Sequence, residues 1–311
     1  MNLLPLLLLL LPFQAPTQDA KVPHQTQVAK TKQKARAPDR EKIGQKDMSR
    51  EEFLAAIRSR LRTAAAPTKI DNFKIEAIFE AQGKKRGKVE VEAEILYRAP
   101  NYLRTTIEEG KKKIVRAQEK YKTWMSENGR AWRLGGRQYA EDRQAVRRDA
   151  SLARLTARFL YPDRVLKDLV DLEGPIRAQY TIYKDRKRVA VEVWEMRGKA
   201  RRPKDYPLVL SPEHEGDILV IAYFDKKTLQ PARVYLKPLD KLGKPIPMHT
   251  EAIFFSEFHE QDGLQVPHRL SFFQPDPTRK VERLHKVSTI RIQRFSVPNE
   301  PWDKSLFRMP R

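Results

Sequence analysis

Apolar positions fall into two rhythms along this chain, and the change from one to the other sets out its elements. Ser49-Arg50-Glu51-Glu52 has the form of a capping box, and Phe53, Leu54, Ile57 and Leu61 follow at helical spacing, which predicts a helix ending before Pro67. From Phe73 the period drops to two. Phe73, Ile75, Ala77 and Phe79 alternate with Lys74, Glu76 and Glu80, and after a turn between Gly83 and Gly87, Val89, Val91, Ala93, Ile95 and Tyr97 alternate with Glu90, Glu92 and Glu94. That is a half-buried antiparallel hairpin.

Further strands are predicted at Tyr102–Glu108, Lys113–Gln118, Tyr121–Glu127 and Ala131–Leu134, divided by Gly110 and by Asn128-Gly129, a strong two-residue hairpin signal. The pattern returns to helix between Asp149 and Leu172. Leu152, Leu155 and Phe159 lie on one stripe, and Pro162 opens a second segment carrying Val165, Leu166, Leu169 and Val170. Strands resume at Ala178–Tyr183 and Val189–Trp194. A loop rich in Arg, Lys and Pro, Gly198 to Glu215, precedes Ile218–Phe224, Ala232–Lys237, His249–His259, Leu264–Phe273 and Val281–Phe295. Strands and helices do not alternate, so the class is α+β with one large antiparallel sheet, which at that number of strands curls or closes; a parallel doubly wound fold is excluded.

Several strands are apolar on both faces: Ile218, Val220 and Phe224 are opposed in parity by Leu219, Ile221 and Tyr223. Two apolar faces need two covers. Either helices or a neighbouring chain cover both, or one face lines an apolar pocket. The residues assigned to such a pocket by parity are Phe73, Ile75, Phe79, Val91, Ile95, Ile107, Val191, Val193, Phe255 and Phe272.

The first residues change the picture of the chain's destination. Leu3 to Phe13 is an uncharged apolar run, about half the length a membrane-spanning helix needs and interrupted by proline, followed by small and polar residues to Ala20. Residues 1–20 therefore read as a signal peptide, and the protein as periplasmic or secreted. The chain has no cysteine, which excludes disulfides, thiol catalysis, thiolate zinc sites and attachment of lipid through a lipobox cysteine. Residues 21–46 hold few large apolar side chains and no period, and read as a basic linker, leaving 47–311 as one folded unit.

Net charge is +22 over the 311 residues. Residues 1–20 contribute −1 and residues 21–50 +6, which leaves +17 for the body. A basic body behind an export signal points to lipid head groups or other anionic envelope material rather than to nucleic acid. Basic clusters fall at turns, notably Lys84, Lys85 and Arg86, and Lys111, Lys112 and Lys113, where they can form a cationic rim around the mouth of the sheet or lie in solvent.

Catalytic signals are weak. His24, His214, His249, His259, His268 and His285 show no helical metal-ligand spacing; with Asp262-Gly263 as a two-residue turn, His268 falls opposite Glu257 and His259 opposite Val266 on one sheet face, either a zinc or acid–base site or, as favoured, a cross-strand charge pair near the hairpin end. Ser211 to Asp217 gathers one histidine and three carboxylates without a second nitrogen ligand. There is no nucleophile elbow, phosphate-binding glycine loop or His-Glu-x-x-His segment, so the expectation is a protein that is not an enzyme and takes no cofactor.

The order of elements and several strings resemble the LolA/LolB-like lipoprotein carrier family and its periplasmic sensor relatives. The strings are Tyr97-Arg98-Ala99-Pro100-Asn101-Tyr102-Leu103-Arg104, Glu127-Asn128-Gly129-Arg130-Ala131-Trp132, Phe224 to Val234, Glu260 to Leu270, and Asp303-Lys304-Ser305-Leu306-Phe307. The resemblance implies an incomplete barrel around helices with an apolar cavity for acyl chains, and a lipid or acylated protein as partner. The alternative reading is a basic module that binds anionic polymer or membrane head groups.

Deleting residues 21–46 is expected to leave the thermal unfolding midpoint unchanged, because the segment has almost nothing to bury. A fall of more than a few degrees in a calorimetric scan would show that it docks on the body.

Overall fold

A computed structural model describes residues 48–310 apart from 84–86, 185–186, 201–213, 215, 247–248 and 276–283. Thirteen strands form one antiparallel sheet in the order β6-β5-β4-β3-β2-β1-β13-β12-β11-β10-β9-β8-β7, with β6 and β7 as its open edges. The expected class, α+β with one large antiparallel sheet, is the observed one. Chain order and sheet order differ only where β1 pairs with β13, so each half is a simple meander of hairpins.

The first half comprises β1 (Asn72–Gly83), β2 (Gly87–Arg98), β3 (Tyr102–Glu109), β4 (Lys112–Glu119), β5 (Lys122–Glu127) and β6 (Arg130–Arg133). The second comprises β7 (Val170–Lys184), β8 (Lys187–Ala200), β9 (Ile218–Asp225), β10 (Pro231–Pro238), β11 (Glu251–Gln261), β12 (Leu264–Pro275) and β13 (Leu284–Ser296). Asn128-Gly129 and Asp262-Gly263 both hold positive φ at their two central residues, the backbone of a turn that matches strand twist. At Gly263 a Cβ would also stand 2.6 Å from the Ala66 amide nitrogen, so the link after the first helix runs too close for a side chain there.

Among the described residues three α-helices lie on the concave side: α1 (Arg50–Leu61), α2 (Ala140–Phe159) and α3 (Pro162–Lys167). The capping box of α1 is formed in both directions, Glu52 N–H donating to Ser49 Oγ at 3.2 Å and Ser49 N–H to Glu52 Oε2 at 2.8 Å. Helix α2 starts nine residues earlier than the apolar stripe predicts, because Ala140 to Arg148 carries only Ala145 and Val146 as apolar contacts. Helix α3 stops at Lys167, and β7 begins at Val170 rather than at Ala178, with two register irregularities against β8 that break its alternation.

Laid flat, thirteen strands would measure roughly 58 Å across. One continuous core runs beneath the helices from Leu103 and Ile107 on β3 to Trp194 on β8. Phe53 of α1 meets Trp194 and Phe224 at ring separations of 6.1 and 5.5 Å, and Phe159 of α2 meets Phe255 at 4.5 Å.

On the outer, convex side the C-terminal segment crosses β2 to β5. Phe307 is fully buried against Leu96 and Tyr102, Met309 packs on Val115 and Trp124, and the Trp124 indole N–H donates to the Phe307 carbonyl at 2.8 Å. Phe307→Ala is expected to cost about 3–5 kcal/mol in urea unfolding, since a fully buried ring is lost and the segment is loosened. A cost below about 1 kcal/mol would show that the segment contributes nothing to the fold.

Candidate functional site

Helix α2 lies in the hollow of the sheet and forms two different contacts along its length. Toward its C-terminal end, Leu152, Leu155, Thr156 and Phe159 face Ile253, Phe255, Pro267, Leu270 and Phe272 of β11 and β12 across an apolar crevice. Thr156 supplies the crevice's only side-chain hydroxyl, and that hydroxyl is turned back onto the Leu152 carbonyl at 2.9 Å, so the lining is apolar in effect. The cavity volume is about 10 Å³, room for one water molecule.

Toward the N-terminal end, α2 sits on buried charge. Arg116 of β4 and Asp149 of α2, both nearly inaccessible, form an ion pair at 3.7 Å, longer than a hydrogen bond. Burial pushes the Asp149 carboxyl above the usual carboxylate range, with Arg116 and Thr105 pulling it back part of the way. A second buried carboxylate, Asp163 of α3, accepts from Arg62 at 2.7 Å and Arg58 at 3.2 Å and ties α3 to α1. Tyr161, between α2 and α3, donates to the Pro67 carbonyl.

Eight of the ten expected pocket residues lie on the concave face. Phe73 is fully buried, its ring 5.1 Å from Tyr97 and 5.5 Å from Phe295. Ile75 and Ile95 are directly opposed, Phe79 opposes Val91, and Ile107 opposes Ala93. Phe255 and Phe272 line the crevice itself, one diagonal step apart, as the register through Asp262-Gly263 requires. Val191 and Val193 are the correction. They share parity with each other and oppose Tyr180 and Ala178, whereas the neighbouring Trp194, opposite Phe224, is the residue turned toward Phe53. Both therefore lie on the convex face.

Of the expected rim, Lys84, Lys85 and Arg86 lie outside the described residues. Lys111 is exposed at the β3–β4 turn, and Lys112 and Lys113 are engaged with Glu127 at 3.0 Å and Glu108 at 2.9 Å. The His259 and His268 rings stand 4.4 Å apart, with Gln261 Nε2 2.9 Å from His268 Nε2; burial, then His259, lowers the His268 pKa and favours its neutral form. Among the described residues no three His, Asp or Glu side chains gather as a metal site, and no helix is long and apolar enough to cross a membrane. Of the loop from Ser211 to Asp217, only His214, Gly216 and Asp217 are described.

The crevice residues that sequence parity did not assign to a pocket are Ile253, Pro267 and Leu270 of the sheet and the four of α2. Leu152, Leu155 and Phe159 were legible as a helical stripe, and a stripe facing an apolar strand face is the signal that joins them to Phe255 and Phe272.

No family model matches the chain, and no curated protein matches it. Solved structures do. A LolA superfamily protein from Nitrosomonas europaea aligns over 84% of this chain and 98% of its own, at 10% identity and a TM-score of 0.41. An outer membrane lipoprotein-sorting protein domain from Vibrio parahaemolyticus aligns over 83% and 97%, at 9% identity and 0.39. The lipoprotein LppX of Mycobacterium tuberculosis aligns over 61% and 90%, at 14% identity and 0.26.

The buried pair under α2 gives a prediction with a defined sign. Asp149→Asn leaves Arg116 buried without its counter-charge and is expected to cost about 3–5 kcal/mol, whereas Arg116→Met with Asp149→Leu is expected to be neutral or stabilising. Because the folded-state pKa of Asp149 is raised, its contribution to stability declines as pH climbs from its unfolded to its folded value, and the double variant should lack that decline in urea titrations across pH. A double variant as unstable as the single one would show that packing, not charge, is at stake.

Proposed function

We propose that this protein is an exported, non-enzymatic carrier or sensor that holds the acyl part of a lipid or lipidated protein against the concave face of its sheet, between α2 and strands β11 and β12. Residues 1–20 serve as the export leader, and 21–46 as a linker. The observation that carries the reading is the crevice: its walls are apolar from both sides, one wall is a helix, and no backbone hydrogen bond of the sheet has to break for that helix to shift.

In its closed form the crevice holds no more than one water, so an acyl chain enters only as α2 lifts. Gly135 and Gly136 immediately precede the turn that leads into α2, and Arg143 of α2 donates to the Leu134 and Gly136 carbonyls, so this link moves with the helix. Moving α2 exchanges helix side chains for acyl chain on the same apolar wall, so the hydrophobic area lost on one contact is regained on the other.

An apolar fluorescent fatty-acyl probe is expected to bind the protein with little change between low salt and about 0.5 M salt, where the Debye length falls to roughly 4 Å. Phe255→Asp and Phe272→Asp should each weaken binding by about tenfold or more, because each places a charge on the crevice wall. Absence of probe binding by the unsubstituted protein would reject the carrier reading. Binding that falls steeply with salt would favour the basic-surface module instead.

A further inference from the structure

From β8 to β12 the helices cover the concave face, while on the convex face apolar and aromatic side chains are interspersed with charged and polar ones such as Glu195, Arg233 and Ser271. Along β9 the buried Ile218, Val220, Ala222 and Phe224 alternate with the part-exposed Leu219, Ile221 and Tyr223. The part-exposed set shares the convex face with Tyr180 of β7, Tyr235 of β10, Phe254 of β11 and Phe273 of β12. Their rings touch in sequence across the strands, Tyr180 to Tyr223 at 6.1 Å, Tyr223 to Tyr235 at 5.7 Å, and Phe254 to Phe273 at 4.2 Å.

Over β2 to β5 the same convex side is covered by the C-terminal segment. Here the rings remain part-exposed, and at the adjoining edge Ile176 and Val189 are 41% and 39% exposed. Patches of this breadth mark interaction surfaces.

Charge identifies what the surface meets. Arg233 lies within the row of rings, its guanidinium 3.6 Å from the Tyr180 centroid and 4.0 Å from that of Phe254. Among the described residues it has no carboxylate partner. Lys237, opposite Leu219, and Lys286, opposite Phe273, lie on the same face, also without an ion-pair partner among the described residues. The acids of this face are engaged: Glu195 pairs with Arg197 at 2.7 Å, and the Asp225 carboxylate accepts from the Lys227 and Thr228 backbone.

An apolar protein surface pressed on this patch would bury Arg233 with no counter-charge. A soluble polyanion would satisfy the arginine and leave the rings in water. A layer of anions above an apolar layer satisfies both, and a convex face meets such a plane at its crest. The geometry points to this patch as a docking surface for an anionic phospholipid bilayer, with the aromatic rings in the interfacial layer and Arg233, Lys237 and Lys286 on lipid phosphates. The surface is separate from the crevice and stands whether or not the crevice carries acyl chains.

The test is vesicle flotation of the whole protein with phosphatidylcholine alone and with phosphatidylcholine mixed with phosphatidylglycerol. The protein is expected to float with the mixed vesicles and to remain below with the neutral ones. Arg233→Gln and Tyr235→Ser should each lower the bound fraction by about fivefold, with the thermal midpoint unchanged to within a few degrees. Lys111→Gln with Lys113→Gln, which removes two charges at the distant β3–β4 turn, should change it by less than about twofold. Phe255→Asp should block probe uptake while leaving flotation intact. The proposal is overturned if the protein ignores anionic vesicles, if the Lys111 and Lys113 variant loses as much as the patch variants, if the patch variants bind as before, or if sedimentation shows a dimer that Phe254→Ser or Tyr235→Ser separates.

Discussion

Side chains on a strand point alternately to the two sides, so a sheet of thirteen strands offers two broad faces and needs something other than itself to cover them. Helices α1 and α2 answer that need on one side. Phe53 between Trp194 and Phe224 of the neighbouring strands β8 and β9, and Phe159 on Phe255 of β11, seat both helices in one core with the sheet. The crevice is a consequence of the same filling. Where α2 meets β11 and β12, helix and sheet touch through apolar side chains alone, with little space left between them.

The polar contacts under the helices act differently. Arg116 with Asp149, and Asp163 with Arg58 and Arg62, place charges where water is excluded, and such pairs fix orientation more reliably than they add stability. They pin the N-terminal part of α2 to β4, and α3 to α1. Just past its C-terminal end the chain is held as well, by the Tyr161 bond to the Pro67 carbonyl and by Asp163, while the face turned to β11 and β12 makes apolar contact.

Much of this was legible because hairpins announce themselves. Asn128-Gly129 and Asp262-Gly263 fixed two registers, and the second put Phe255 and Phe272 on one face before any coordinates. The Ser49 capping box fixed the start of α1. What was illegible has a common cause, the loss of contrast between parities or faces. Along β8 the even-numbered Trp194 and Met196 are as apolar as the odd-numbered Val191 and Val193, so a period of two cannot say which set points inward, and only the pairing with β9 decides. The first turns of α2 carry arginines and acids around most of their circumference, so no stripe marks the helix before Asp149. At the start of β7, positive φ at Asp171 and Gly174 interrupts the alternation, and the strand is recognisable only from its partner.

That same loss of contrast carries a physical consequence for the two faces. A strand needs apolar residues on one side to be buried by helices and is usually polar on the other, where it meets water. Strands β1 and β2 follow the rule, with Glu76, Glu92 and Glu94 outward. Strands β8 to β12 break it, keeping valine, isoleucine, tyrosine and phenylalanine outward at part-exposed positions. The hydration cost of those residues is not offset by anything the described chain folds over them, whereas the C-terminal segment does cover the convex side of β2 to β5. The division of the sheet is therefore chemical as well as topological: across β2 to β5 the C-terminal segment closes apolar positions of the convex side, and across β8 to β12 apolar side chains on that side stay part-exposed.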